Sequence, residues 1–269
     1  MKFLIEHFKK VLSLLVVITF ILSLKGISEE KTEIIELGKW NQDKIQEIIE
    51  KKPETTSAQI DFLSKQFLGT PYEEHTLTGD INTTEIFTVN LQGMDCFTYI
   101  DYVEALRLSN TLEDFNTNLK GIRYQNGDIS FHNRNHFFSD WPVHNNENVR
   151  DVTFEVGGNN AIVVEKSLNL KSDGSTFLPG IPIEKREFYF IPSSAIDDDL
   201  ISKLLTGDYV GMYTNIGGLD VTHTGIIIKK NDGVYLRHAS SKKRNQKVVD
   251  EDLKEYVKNV PGIVVYRPQ

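Results

Sequence analysis

The chain carries one cysteine in 269 residues, and the residues around it suit a nucleophilic thiol. In Gly93-Met94-Asp95-Cys96-Phe97-Thr98-Tyr99-Ile100, apolar side chains recur at Tyr99, Ile100, Val103 and Leu106. That spacing predicts a helix opening at Cys96, with Asp95 as its N-cap and Gly93 in the loop before it. In a first helical turn, unpaired backbone N–H groups and the positive end of the dipole favour a thiolate. The same N–H groups can stabilise an oxyanion on a carbonyl that the sulfur attacks. A lone cysteine is otherwise most often an inert core thiol, so the rest of the chain has to decide.

Two histidines further on supply a candidate base. Asp220-Val221-Thr222-His223-Thr224-Gly225-Ile226-Ile227-Ile228 and Val234-Tyr235-Leu236-Arg237-His238-Ala239-Ser240 flank an Asn231-Asp232-Gly233 turn. Two β-branched runs around such a turn predict a hairpin. With a two-residue loop, His223 faces Ser240 and lies diagonal to His238; with a four-residue loop the histidines are directly opposed. Both registers place the two rings on one sheet face, and a three-residue loop places them on opposite faces. On one face, His223 can take the thiol proton while His238 orients it, the nucleophile–base–orienter arrangement of a cysteine hydrolase. The alternative is two histidines placed independently at a sheet edge.

A third cluster is His132-Asn133-Arg134-Asn135-His136-Phe137-Phe138-Ser139-Asp140-Trp141. His132 and His136, four apart, would share a helix face and could ligate a metal. No carboxylate or third histidine follows at matching spacing, so no metal and no cofactor is expected. Arg134, His136, Asp140 and Trp141 are expected in a cleft wall or a satisfied polar cluster, since arginine beside aromatics suits a carboxylate and sugar ligand.

The positioning elements are read more coarsely. Residues 33–52 and 55–67 have amphipathic helical spacing, the first ending at Pro53 and the second at Leu68-Gly69-Thr70-Pro71-Tyr72. Phe87 to Leu91 alternates as a strand, 112–119 suits a short helix, and 122–124 with 129–131 suits a hairpin across Gln125-Asn126-Gly127-Asp128. Strands are expected at 152–156, 161–164, 188–192 and 209–212, with a helix at 201–205. No internal repeat or linker-like tract divides residues 29–269, which favours one domain with an N-terminal helical extension.

Residues 1–28 read as a signal peptide or N-terminal anchor. Lys2, Lys9 and Lys10 precede an apolar run of 14 residues, Val11 to Leu24, too short for a comfortable membrane span. Export is therefore expected, to the periplasm, the cell envelope or the medium, with membrane contact only through an uncleaved leader. The leader holds four lysines and one glutamate, so its removal takes the net charge from −8 to −11. Such acidity disfavours nucleic acid as a partner. One cysteine cannot form an internal disulfide.

Taken in order, Gly69-Thr70-Pro71-Tyr72, Asp95-Cys96, Arg134 to Trp141, Gly207-Asp208-Tyr209-Val210, His223-Thr224-Gly225-Ile226 and Arg237-His238-Ala239-Ser240 resemble the N-acetylmuramoyl-L-alanine amidase-like family. That family is a branch of the NlpC-type, papain-like cell-wall cysteine hydrolases. The resemblance implies an α+β papain-like fold, with the nucleophile helix packed on an antiparallel sheet, N-terminal helices and a long insert. It implies Cys96 as nucleophile, His223 as base and His238 as orienting partner. Tyr72 would line the substrate site or assist the oxyanion, and Asp95, Arg134, His136, Asp140 and Trp141 would contact substrate. The substrate would be peptidoglycan or a muropeptide, cut at an amide. Phe97-Thr98 follow the cysteine where the wider group has Ser-Gly, and the insert before His223 is long; both features agree with the amidase-like branch. A cell-wall binding protein without turnover is the alternative.

Overall fold

In the computed structural model, which describes residues 33–269, the chain starts with strand β1 (Glu33–Glu36) and helices α1 (Gln42–Glu50) and α2 (Thr56–Lys65). Strand β2 (Phe87–Asn90) leads into helix α3 (Cys96–Leu108), followed by α4 (Leu112–Arg123), α5 (Asp140–His144), β3 (Val149–Asp151) and α6 (Thr153–Gly157). Strands β4 (Ile162–Leu168) and β5 (Glu184–Pro192) precede α7 (Asp198–Lys203). The chain closes with β6 (Tyr209–Tyr213), β7 (Val221–Lys230), β8 (Gly233–Ser240), β9 (Lys247–Asp252), α8 (Leu253–Val257) and β10 (Gly262–Pro268). The leader expected over residues 1–28 lies outside the described residues. Among those described, no helix is long and apolar enough to cross a membrane.

The main sheet has eight strands in the order β4-β5-β10-β6-β7-β8-β9, with β3 also beside β10, and its pairings are antiparallel. One face packs on α1 to α4 through Ile226, Ile228, Ala239 and Val264. The other packs on α6 to α8 through Val210, Met212, Ile227 and Leu236. Alternation along the central strands feeds both cores, which is why their apolar residues run nearly unbroken. Helix α3 is buried almost all round, so its weak amphipathicity reflects a helix enclosed by α2, α4 and the sheet.

Three sequence expectations change. Residues 33–36 form a strand paired with β2, so the first helix is confined to α1. The expected hairpin over 122–131 is replaced by the end of α4 and a single 3-10 turn, with Asn126 and Gly127 at positive φ of 56° and 72°. Only an isolated bridge, Tyr124 to Arg134, joins the two sides. Residues 153–157 are helical rather than extended: Val152 and Val156 are both buried, and a spacing of four satisfies either period.

Candidate active site

Helix α3 begins at Cys96, as its capping residues dictate. The Asp95 carboxylate accepts from the Phe97 and Thr98 amides at 2.9 and 2.7 Å, and Thr98 Oγ1 accepts from the Asp95 amide at 3.0 Å. This capping box consumes the second and third amides of the helix. The Cys96 N–H is left beside its own sulfur, without another acceptor among the described residues. Asp95, expected to contact substrate, is thus committed to the helix. Burial pushes the Cys96 thiol up to about 12, the Asp95 charge adds to this, and hydrogen bonding from Thr224 works against it. The resting sulfur is a thiol, contrary to the expectation from the helix dipole alone.

The hairpin takes the two-residue loop. Lys230 pairs with Gly233 and Ile226 with Arg237, where the pairing ends, and that register carried beyond its last pair sets His223 diagonal to His238. His223 Nε2 lies 2.6 Å from His238 Nδ1, the rings edge to face at 89°. Thr224, pointing the other way along β7, donates through Oγ1 to the Cys96 carbonyl at 2.8 Å and ties the hairpin to the start of α3. A close approach at Gly225 keeps β8 against β7: a Cβ there would lie 2.6 Å from Leu236 Cδ1 and 3.0 Å from the Arg237 carbonyl. Cys96 and His223 line one cavity of about 250 Å³, together with His136, Thr224 and an apolar wall of Phe97, Phe137, Phe138, Phe177, Leu178 and Leu219.

A third strand completes the polar chain. The β8–β9 register pairs Leu236 with Glu251 and His238 with Val249, making Glu251 a diagonal neighbour of His238 on the same face. Glu251 Oε2 accepts from His238 Nε2 at 2.9 Å. Burial raises the Glu251 carboxyl, but hydrogen bonds from Lys242 and Arg244 overcome it and hold the group below its ordinary value. An ionised carboxylate only accepts, so His238 Nε2 carries a proton and neutral His238 offers Nδ1 as an acceptor. His223 Nε2 must then be the donor, leaving His223 Nδ1 as the unprotonated ring atom. Burial pulls His223 down to about 3, helped by His238 and Lys242, and pulls His238 down to about 4. Both imidazoles are therefore neutral near pH 7.

Tyr256 of α8 lies over the pair, stacked on His223 at 6.1 Å between ring centroids and edge-on to His238 at 5.2 Å. Lys242 Nζ sits 3.9 Å from the Tyr256 ring centroid. Glu251, Tyr256 and Lys242 were not anticipated; Lys-Val-Val-Asp-Glu over residues 247–251 does not alternate, and the one local signal was the β-branched pair Val248-Val249 after the hairpin. Tyr72 is half-buried within electrostatic reach of Cys96, its hydroxyl held protonated chiefly by burial.

The 132–141 stretch contributes less than expected. It is not a helix up to Ser139, so His132 and His136 share no helix face, and among the described residues no cluster of three or more metal-ligating side chains forms. His136 reaches the Cys96 cavity, with Nε2 2.7 Å from the Phe131 carbonyl, and burial pulls it down to about 4. Arg134 pairs with Glu85, and Asp140 accepts from the Phe137 amide and pairs with Arg186. Trp141 is fully buried, packed edge-on against Tyr209. Arg134, Asp140 and Trp141 hold the wall in place rather than lining the Cys96 cavity.

A family model described as N-acetylmuramoyl-L-alanine amidase-like (AmiA-like) matches residues 62–263, which spans Cys96, both histidines and Glu251. The chain belongs to this family. A solved structure of an N-acetylmuramoyl-L-alanine amidase from Bacteroides uniformis is similar at 26% identity and a TM-score of 0.69, over 80% of this chain and 100% of that one. A Legionella pneumophila protein of the DUF1460 family shares the fold at 24% identity and a TM-score of 0.71, over 84% and 94% of the two chains. No curated protein matches the chain. The amidase-like family and its named neighbour support a peptidoglycan amidase-like role for this α+β fold.

Proposed function

We propose that this family member is an exported cysteine amidase of NlpC-type, papain-like architecture that hydrolyses the N-acetylmuramoyl-L-alanine bond in peptidoglycan or its fragments. The observation that carries the reading is a single one. Cys96, at a capped helix start, shares a cavity with His223, and Glu251 acting through His238 leaves His223 Nδ1 free to accept a proton.

Because both groups rest uncharged, the thiol proton passes to His223 Nδ1 as the sulfur attacks the amide carbonyl. The Cys96 N–H, not used by the capping box, faces the developing oxyanion, while the Tyr72 hydroxyl nearby is hydrogen-bonded to Glu74. As the carbon–nitrogen bond breaks, His223 returns its proton to the leaving amine and a thioester remains on Cys96. A water then loses a proton to His223 and attacks the thioester, releasing the carboxylate and restoring the thiol. His238 and Glu251 stabilise the transient imidazolium, and Tyr256 keeps water from it.

The test is to incubate the purified protein with muropeptides and identify the products by mass. Release of the intact stem peptide from N-acetylmuramic acid, abolished by Cys96→Ala and His223→Ala, is the expected result. Cleavage within the stem would move the scissile bond. Tight binding without turnover in the parent would make this a cell-wall binding protein.

A further inference from the structure

One imidazole beside the nucleophile takes no part in the proton path. His136 lines the Cys96 cavity of about 250 Å³, a neighbouring one of about 240 Å³ that also holds His132 and His144, and a smaller one of about 170 Å³ that reaches Asp95 and Arg123. Among the described residues it alone borders all three, so the spaces meet at its ring.

That ring is fixed at two points. Nε2 lies 2.7 Å from the Phe131 carbonyl, and the imidazole meets the Phe131 ring edge to face, 4.9 Å between centroids. A carbonyl oxygen only accepts, so Nε2 carries the proton and donates it. Burial pulls His136 down to about 4 against the hydrogen bond to Phe131, and Arg134 and His132 add to the effect. The ring is therefore neutral near pH 7, with a lone pair on Nδ1. Nδ1 has no hydrogen-bond partner among the described residues, and it is not one of the unpartnered polar atoms sealed away from solvent, so it keeps accessible surface. It is an open acceptor in a fixed orientation.

The other polar groups of the Cys96 cavity are committed. Both Asp220 oxygens accept backbone amides, those of Ser139 and Val221, and Thr224 Oγ1 donates to the Cys96 carbonyl. Cys96 and His223 are the reacting pair. Apart from the exposed Thr222, His136 is the polar side chain there with unused capacity. A carboxylate or carbonyl at Nδ1 would set lone pair against lone pair, and a cation is opposed by Arg134, whose charge is felt at the ring. A neutral N–H meets neither repulsion.

We propose that His136 is a specificity-determining residue of the cleft, its Nδ1 accepting a hydrogen bond from a secondary-amide N–H of the substrate. This rests on the amidase reading, which puts a muropeptide in the cleft. Three amides of a muropeptide carry such an N–H: the N-acetyl of the sugar, the muramoyl–alanine bond and the next bond of the stem.

The test measures binding apart from turnover. N-acetylmuramoyl-L-alanyl-D-isoglutamine is titrated calorimetrically into full-length Cys96→Ala protein, alone and combined with His136→Gln or His136→Asn. Glutamine places its NH2 where Nε2–H stands and keeps the bond to Phe131, but has no acceptor at Nδ1. Asparagine places its oxygen at Nδ1 and gives up the bond to Phe131. His136→Gln should weaken binding about two- to twelve-fold, the range of one neutral hydrogen bond, and His136→Asn should weaken it less. The opposite order would mean that His136 only holds Phe131 and would overturn the proposal, as would equal affinity in all three proteins.

Three analogues, each N-methylated at one of the three amides, identify the donor. With the analogue lacking the bound N–H, His136→Gln should cause no further loss, while with the other two the loss persists. A loss undiminished with every analogue would overturn the proposal. If the parent chain cleaves no muropeptide but the loss disappears with one analogue, the amidase reading fails and the His136 contact stands. If it cleaves the muramoyl–alanine bond and the loss is the same with every analogue, the contact fails and the amidase reading stands.

Discussion

Glu251 is the strongest point at which to break the proposed mechanism, because its substitution by glutamine changes a proton position without changing shape. In the parent, Glu251 Oε2 faces His238 Nε2 at 2.9 Å, Oε1 faces Arg244, and Lys242 lies 3.1 and 3.3 Å from the two oxygens. Both oxygens accept. A glutamine has one oxygen, and Arg244 competes with His238 for it. If the oxygen turns to Arg244, the amide NH2 donates to His238 Nε2 and the whole chain reverses. His238 Nδ1 then donates to His223 Nε2, and His223 presents a protonated Nδ1 to the thiol. Restoring the productive tautomer means giving up a hydrogen bond to a charged group, worth about 1.5–3 kcal/mol, which corresponds to about a ten- to hundred-fold fall in kcat. KM should hardly move, since Glu251 touches no cavity wall. Arg244 is 71% exposed in its side chain, so Arg244→Ala alone should be close to neutral. In the Glu251→Gln background the same change frees the glutamine oxygen for His238 and should recover much of the lost rate. The assay is kcat on muropeptide, with ring 15N shifts reporting which His223 nitrogen is protonated. Wild-type kcat in Glu251→Gln, or an unrelieved loss with His223 Nδ1 still unprotonated, would refute the tautomer argument.

The remaining predictions are shorter. Burial disfavours the imidazolium of His223 and His238 and lowers them to about 3 and 4, so the base form persists on acidification and kcat/KM should fall only below about pH 4; an acid limb centred near 6.5 would show that they titrate normally. With the thiol pushed up to about 12, iodoacetamide labelling of Cys96 should be slow at pH 7 and keep rising through pH 10, whereas a plateau below pH 8 would indicate a resting thiolate. Gly225→Ala puts a Cβ 2.6 Å from Leu236 Cδ1 and should destabilise the fold by about 1–3 kcal/mol in denaturant while also lowering kcat; an unchanged midpoint would mean that β7 and β8 separate freely. Mass measurement of protein from the native envelope should show the loss of about the first 28 residues, the leader length read from its apolar run, and an intact Met1 on cytosolic protein would refute export.

How much of this was legible in the sequence depends on how local each interaction is. Asp95 and Thr98 are three residues apart, and the capping box they form is decided within one helical turn, so the start of α3 at Cys96 could be read directly. The turn around Asn231-Asp232 could be read as a hairpin, but the sequence left its loop length open, and only the observed two-residue loop put His223 and His238 on one face. Even so, the local signals misjudged the electrostatics: the dipole argued for a thiolate, and only the packing showed that burial and the Asp95 charge keep the proton on Cys96. Glu251 and Tyr256 reach the histidines from the strand and helix that follow β8, through a register set by the whole sheet, so no spacing motif announces them. Arg134 and Asp140 form the satisfied polar cluster that the sequence offered as one of two alternatives, with Trp141 buried beside them. Their residue types suit a ligand, but Glu85, Arg186 and Tyr209, brought in from distant segments, had already taken their polar and aromatic surfaces. Short-range hydrogen bonding determined where Cys96 and the hairpin stand. Burial and long-range pairing, which only the folded chain supplies, decided which atoms are protonated and which polar groups remain to meet a substrate.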